Sequence, residues 1–161
     1  MFKFKILTAL LASAFIFACG NKQTSAPGTT ENAPGTTTEA STSDYDPKRG
    51  EGKFNESNLT IDAALNVPMA DAGEKAAGVK CTSCHKVTDE RLVGPGWKGV
   101  TQRRAASWIM NFITNPEPMI DKDPELQAQL ELCLVRMPNQ SLNEEEARNI
   151  LEYMRKNDGV K

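Results

Sequence analysis

The pattern of apolar residues predicts a helical domain in the second half of the chain. Apolar positions recur there at helical spacing, and no convincing strand pattern interrupts them. The last predicted helix begins at Ser141, which fits a capping box together with Glu144. The four predicted helices cover residues 69–80, 103–114, 124–135 and 141–156. This pattern predicts an all-α fold of about four helices.

The first part of the chain has a different pattern. Residues 6–17 form an apolar run of signal-peptide length that ends at Ala18-Cys19, and this junction resembles the lipobox at which bacterial lipoproteins are cleaved and acylated. Residues 20–43 carry no large apolar side chain, so nothing offsets the entropy of ordering them. We therefore predict a leader over 1–18, a lipidated Cys19 with a disordered tether over 19–57, and a folded domain over 58–161.

The charge distribution argues against a nucleic-acid-binding function. The chain has 19 basic and 21 acidic side chains, so it has no excess of positive charge with which to bind phosphates. Basic residues are nevertheless concentrated around the middle of the predicted domain. These cations are Lys80, Lys86, Lys98, Arg103 and Arg104. Their grouping predicts a positive face that attracts an acidic protein partner.

The motif that carries the chemistry is C-x-x-C-H, formed by Cys81, Cys84 and His85. Two thiols at this spacing can form thioethers with the vinyl groups of one porphyrin, and the adjacent histidine can then bind iron. A redox dithiol would need a βαβ pattern, and a zinc site would need further Cys or His ligands, whereas the chain has one histidine. The motif therefore predicts one covalent haem c.

The sixth iron ligand is narrowed by elimination. His85 is the only histidine, so no second histidine of this chain can bind the iron. Methionine is the other common ligand of electron-transfer haems. Met137 is favoured because it follows a predicted helix and precedes Pro138, which stiffens its loop. Met119 lies in another predicted loop and is the second candidate. An open or water-bound site is the third possibility at this stage.

Residues from about 69 to 157 resemble a class I, mono-haem cytochrome c. In that family a glycine stands eight residues before the first haem cysteine and lets the C-terminal helix approach, usually beneath an aromatic ring. Gly73 and Tyr153 match these positions. The resemblance implies a class I fold around the haem. It also implies a close crossing of the first and last helices.

The resemblance further implies roles around the haem. Pro95 matches the family proline whose carbonyl accepts the proximal histidine Nδ1–H, a bond that fixes the orientation of the ring. Trp97 and Arg103 are candidates to reach a haem propionate. Cys133 is left without an assigned partner, and we predict that it is a small buried apolar residue. An intermolecular disulfide or an exposed redox thiol is the alternative.

These features predict an electron carrier rather than an enzyme. The carrier would be held by lipid at Cys19 on the extracytoplasmic, periplasmic face of a bacterial membrane. A membrane quinol oxidoreductase would donate electrons, and a terminal oxidase or denitrification reductase would accept them. Two alternatives stay open at this stage. One is a donor subunit fixed in a respiratory or denitrification complex, and the other is a haem sensor or peroxidase with an open sixth site.

Overall fold

The structure, a computed structural model, describes residues 45–161. Within that range it contains six helices and no strand apart from one isolated bridge between His85 and Arg91. The helices are α1 (Val67–Lys80), α2 (Val100–Arg103), α3 (Ala106–Thr114), α4 (Glu117–Ile120), α5 (Pro124–Cys133) and α6 (Glu144–Asn157). The all-α prediction is confirmed. The predicted leader, Cys19 and the residues up to 44 lie outside the described residues.

The helix predicted over 103–114 is two helices, α2 and α3. The chain is extended at Arg104 and Ala105, which separate them. The start of α2 is held by Asp158, whose carboxylate accepts from the Gly99 and Thr101 backbone N–H groups at 2.6 and 2.9 Å. Because Asp158 comes from the far end of the chain, local apolar spacing gives no sign of this short helix.

The first turn of α6 is capped two residues later than predicted. The Asn143 side chain accepts from Glu146 N at 2.8 Å, and the Glu146 carboxylate accepts from Asn143 N at 3.1 Å. Ser141 instead has a φ of 51°, which places it in the left-handed region and outside the helix. The sequence contains two overlapping capping-box patterns, Ser141 with Glu144 and Asn143 with Glu146, and the helix begins at the second one.

The crossing of α1 and α6 is the most extensive helix–helix contact among the described residues. The two backbones approach closely at Gly73, where an added Cβ would lie far inside van der Waals contact distance of the Asn149 carbonyl oxygen. Ala77 of α1 and Ala147 of α6 are both fully buried. Small side chains on both helices therefore bring the two backbones together.

A buried ion pair ties the chain before α1 to α6. Glu152 is fully buried, and its carboxylate accepts from Arg155 at 2.7 and 2.8 Å and from Asn66 N at 3.3 Å. Arg155 also donates to the Asp62 carbonyl at 2.5 Å. Burial favours a higher pKa for Glu152, but hydrogen bonds from Arg148 and Arg155 outweigh it and lower the pKa.

Residues 45–58, which we call the strap, pack onto the helical domain. Phe54 is 2% exposed and belongs to the core, and its N–H donates to the Asn111 side chain at 2.9 Å. Asn111 in turn donates to the Arg49 and Phe54 carbonyls at 3.0 Å. The prediction of a disordered linker is therefore wrong over residues 45–57. The large side chains of Tyr45 and Phe54 bury enough surface to order this otherwise polar segment.

The short helix α4 lies in a segment predicted as a loop. Its Met119 and Ile120 are buried, and Met119 packs against Gly50 of the strap. Within residues 45–161, no helix combines the length and apolar character required to cross a bilayer.

The α1–α6 crossing makes a testable prediction. Gly73→Ala should destabilise the haem-loaded protein by about 1–3 kcal/mol, because the added methyl group meets backbone that cannot rotate away. Gly78→Ala is the matched control in the same helix, where an added Cβ meets nothing within 4 Å. Alanine there should be neutral or stabilising by about 0.5–1 kcal/mol. Urea unfolding of both variants measures the difference, and equal midpoints would contradict the close approach.

Candidate haem site

The end of α1 positions the C-x-x-C-H motif. Cys81 is the C-cap residue of α1, and its N–H still donates to the Ala77 carbonyl at 2.8 Å. The chain then turns tightly, with the Cys84 and His85 N–H groups both donating to the Cys81 carbonyl at 3.0 Å. This turn places the two thiols and the imidazole along the wall of one cavity.

The cavity lies between α1 and α6 on one side and α3 and α5 on the other. It has a volume of about 390 Å³ and adjoins a smaller cavity with which it shares His85 and Met137. Its walls are mainly apolar and include Ile109, Phe112, Leu126, Ile150 and Met154. An apolar space of this kind between helices suits a large flat cofactor with few polar atoms.

The orientation of His85 is set by two neighbours. Its Nδ1 lies 2.8 Å from the Pro95 carbonyl oxygen, which can only accept, so Nδ1 carries the proton and Nε2 is left for a metal. Gly94 lies against the ring so closely that a Cβ would overlap it. Burial lowers the pKa of His85, partly offset by the bond to Pro95, so the imidazole favours the neutral form.

Of the two methionines proposed as a sixth ligand, the structure places only Met137 at the cavity. Met137 is half-buried in the loop after α5 and lines both cavities together with His85. Met119 is fully buried against the strap and lines neither. Met154 also contributes to the wall of the larger cavity, from α6.

The donor set and the cavity fit a covalently bound haem. Two thiols, one neutral imidazole and one thioether meet at an apolar space. Gln129 of α5 also lines both cavities, and its Oε1 is buried without a hydrogen-bond partner. Such an orphaned acceptor indicates a polar group within the cavity. Among residues 45–161 no three Cys, His, Asp or Glu side chains group as a metal site, so the zinc alternative gains no support there.

Trp97 and Arg103, which the resemblance associates with a propionate, both line the larger cavity. The Trp97 ring lies 5.7 Å from the His85 ring and 6.4 Å from that of Tyr153. Arg103 donates to the Lys98 carbonyl at 2.7 Å. Trp97 therefore packs between the imidazole and α6, and Arg103 is fixed at the edge of the cavity.

The predicted positive face is partly neutralised. Three of its five cations have carboxylate partners, in the ion pairs Lys80–Glu146, Lys86–Glu90 and Arg104–Glu125. Two of these carboxylates come from distant parts of the chain, so the sequence distribution of charge overstated the field at the cavity. Attraction of an acidic partner accordingly has less support than the sequence suggested.

Cys133 lies at the end of α5, is half-buried and lines the smaller cavity. It forms no disulfide with the other described cysteines, Cys81 and Cys84. The expectation that it is buried is therefore met only in part. It belongs to the cavity wall.

The hydrogen bonds of Asp123 at the start of α5, which lines the cavity, were not predicted from the sequence. Asp123 caps α5 and accepts from the Trp108 ring N–H at 3.1 Å and from the Tyr45 hydroxyl at 2.6 Å. The Asp-Pro pair at Asp123 and Pro124 is a recognisable signal of a helix start. Its aromatic donors come from α3 and the strap, and no local signal identifies them.

The fold and site define a small all-helical domain with the attachment motif of a c-type haem protein. The chain also matches the family model described as cytochrome c over residues 70–158. It therefore belongs to the cytochrome c family. Membership implies a covalently bound haem c, and electron transfer by that haem.

Individual relatives agree with this assignment. A cytochrome c-553-like protein of Synechocystis sp. is 32% identical over 65 residues, covering 38% of this chain and 62% of that protein. The match thus spans about three fifths of the relative's length. A solved cytochrome c from Rhodothermus marinus is 33% identical with a TM-score of 0.62, covering 70% of this chain and 92% of its own. An engineered form of it, solved with a bound carbene intermediate, has a TM-score of 0.60 at 33% identity, covering 70% of this chain and 98% of its own.

Proposed function

We propose that this protein is a one-electron carrier whose haem c is ligated by His85 and Met137. The observation that carries the proposal is that both side chains line the cavities into which Cys81 and Cys84 open. Haem c supplies reversible Fe(III)/Fe(II) chemistry when bound, and thioether ligation raises its potential.

The residues around the cavity serve this function by holding a constant environment. The Pro95 carbonyl fixes the His85 ring and keeps Nε2 free to ligate. Pro138 stiffens the loop that carries Met137. The apolar walls of the cavity exclude water. The surroundings of the haem therefore rearrange little when the charge on the iron changes. A carrier of this kind would bind no substrate, because the side chains of His85 and Met137 would occupy both axial positions of the iron.

A haem sensor or peroxidase is the competing function. It would need an open sixth position, and a peroxidase would need a general acid or base beside it. His85 is the chain's only histidine and already has a role, which disfavours the peroxidase. The solved structure with a bound carbene concerns an engineered form of a relative. Substitution of the proposed sixth ligand separates the two functions.

Met137→Ala should leave the haem attached but free one axial position. We expect the reduction potential to fall on the order of 0.1 V or more, within the roughly 0.8 V range that axial ligands cover. The variant should also become partly high-spin and bind carbon monoxide or azide. Redox titration, absorption spectra and ligand titrations measure these changes.

Met119→Leu is the control, because Met119 is buried away from both cavities and leucine preserves its volume. Its potential and spectrum should match the wild type. An unchanged Met137→Ala spectrum would contradict ligation by Met137, and a changed Met119 variant would then leave the carrier with a different ligand. If neither variant changes and the wild type already binds carbon monoxide readily, the sixth position is open and the sensor is favoured.

An exposed apolar rim lies beside the smaller cavity, and we propose it as the contact for redox partners. The rim consists of two segments of the chain whose exposed members are Leu92 and Val93 in one and Leu132, Leu134 and Val135 in the other. Arg91 joins these segments by donating to the Leu132 carbonyl at 3.3 Å. Apolar contact near the haem suits brief docking of a membrane quinol oxidoreductase as donor and of a terminal oxidase or denitrification reductase as acceptor.

Leu134→Asn should slow electron transfer to a protein partner without destabilising the domain. Leu134 is 84% exposed and has a φ of 59°, a backbone region that asparagine tolerates better than leucine. We expect slower oxidation by membranes of the source bacterium but an unchanged rate with ferricyanide.

Val67→Asn is the control, since Val67 is also exposed but lines neither cavity. Equal membrane oxidation rates for both variants would argue against the rim as a docking site.

We also propose that Cys19 anchors the protein by lipid at the extracytoplasmic face of a bacterial membrane, with residues 20–44 as the tether. Support comes from the leader pattern and from the C-x-x-C-H motif, since haem c is attached outside the bacterial cytoplasm. A tethered domain can meet two partners in turn while staying near both.

Cys19→Ser should release the haem-loaded protein into the soluble fraction, because the acyl chains would be lost. Fractionation after a high-salt wash, which screens electrostatic adhesion, measures the release. Lys3→Gln should leave attachment intact as a control. Continued membrane attachment of the Cys19 variant would show that the anchor lies elsewhere.

A further inference from the structure

Asp123 is a buried carboxylate outside the haem motif that accepts four hydrogen bonds. It is 2% exposed. Its Oδ1 accepts from the Glu125 and Leu126 N–H groups at 2.9 and 3.3 Å, which caps α5. Its Oδ2 accepts from the Tyr45 hydroxyl at 2.6 Å and from Trp108 Nε1 at 3.1 Å. One side chain therefore joins the start of α5 to both the strap and α3.

These hydrogen bonds keep the carboxylate ionised. Burial favours a higher pKa for Asp123, but the donors from Tyr45, Trp108 and the α5 backbone outweigh it and lower the pKa. Burial and the bond to Asp123 in turn raise the pKa of Tyr45, so its hydroxyl remains a donor. A neutral donor on a buried carboxylate is among the stronger hydrogen bonds in proteins.

Within residues 45–161 no long helix packs closely against α5, and its other contacts include the Arg104–Glu125 ion pair and the hydrogen bond from Arg91 to the Leu132 carbonyl. The main helical neighbour of α5 is the single-turn α4, because the haem cavity separates it from α1 and α6. Leu126 and Gln129 face that cavity, and Met137 follows the last residue of the helix, Cys133, after a short segment over 134–136. A helix behaves as a rigid rod, so a displacement at Asp123 is carried to the Met137 loop.

The strap holds the same end of α5 from outside. Tyr45 reaches Asp123, and Lys122 just before it pairs with Glu51 at 2.5 Å. The strap itself is seated by Phe54 in the core. Its polar contacts to Asn111, Lys122 and Asp123 involve no residue of the haem motif.

We propose that Tyr45 and Asp123 are positioning residues that hold Met137 against the haem iron through α5. The proposal rests on the ligation by Met137 proposed above. Loss of the Tyr45 hydroxyl would leave the strap in place but loosen the start of α5. The bond between Met137 and iron should then be easier to displace, while Cys81, Cys84 and His85 are unaffected.

The test is Tyr45→Phe in the full, haem-loaded chain, with imidazole as a competitor for the sixth position. We expect imidazole to bind the ferric variant roughly three- to tenfold more tightly, a factor in line with one net hydrogen bond. The weak far-red absorption that iron–thioether bonding produces should weaken in parallel. Asp123→Asn keeps a capping side chain but removes the charge, and should shift imidazole affinity in the same direction.

Lys53→Met is the matched control in the strap, since it removes the 2.7 Å ion pair of Lys53 with Glu144 of α6 and leaves α5 untouched. Its imidazole affinity should equal that of the wild type. Unchanged affinity in both Tyr45→Phe and Asp123→Asn, or an equal shift in Lys53→Met, would overturn the positioning role. A wild type without the far-red band would instead overturn ligation by Met137 itself, so the two failures are distinguishable.

Discussion

The close approach of α1 and α6 at Gly73 is the constraint on which the site depends. That crossing fixes the direction of α1, and α1 ends at the cysteine that begins the haem motif. The same crossing places Ile150 and Met154 of α6 on the cavity wall. The attachment side of the site is thus built on two long helices whose backbones are locked together. Large side chains at the crossing would separate those helices and widen the cavity.

The opposite side of the cavity is built differently. There α3, α4 and α5 are short, and the cavity keeps α5 away from the long helices. Most large apolar side chains of these short helices are buried, and polar contacts add to their packing. The Asp123 carboxylate and the Asn111 amide connect these short helices to each other and to the strap. The covalent end of the cofactor site therefore rests on the packing of two long helices, and the proposed Met137 end on short helices joined by directed hydrogen bonds.

The sequence predicted those features that depend on local spacing. The C-x-x-C-H motif, the long helices α1 and α6 and the His85–Pro95 hydrogen bond suggested by resemblance all agree with the structure. Prediction from the sequence failed where contacts between residues far apart in the chain determine the local structure or charge. Asp158 holds α2 from the far end of the chain, and glutamates from α5 and α6 neutralise part of the basic face. The strap was missed because its two aromatic residues are too few to form a periodic pattern.

Strained backbone conformations lie on either side of the loop that carries Met137, the proposed iron ligand. Among residues 45–161, the non-glycine residues with positive φ are Leu134 and Ser141, and they lie on either side of Met137. Each such conformation costs on the order of 1 kcal/mol and persists only where surrounding contacts enforce it. The capping box of α6 fixes the chain after Ser141, and α5 fixes it before Leu134. Since α5 is itself fixed through Asp123, the contacts that hold this strained loop extend back to the strap.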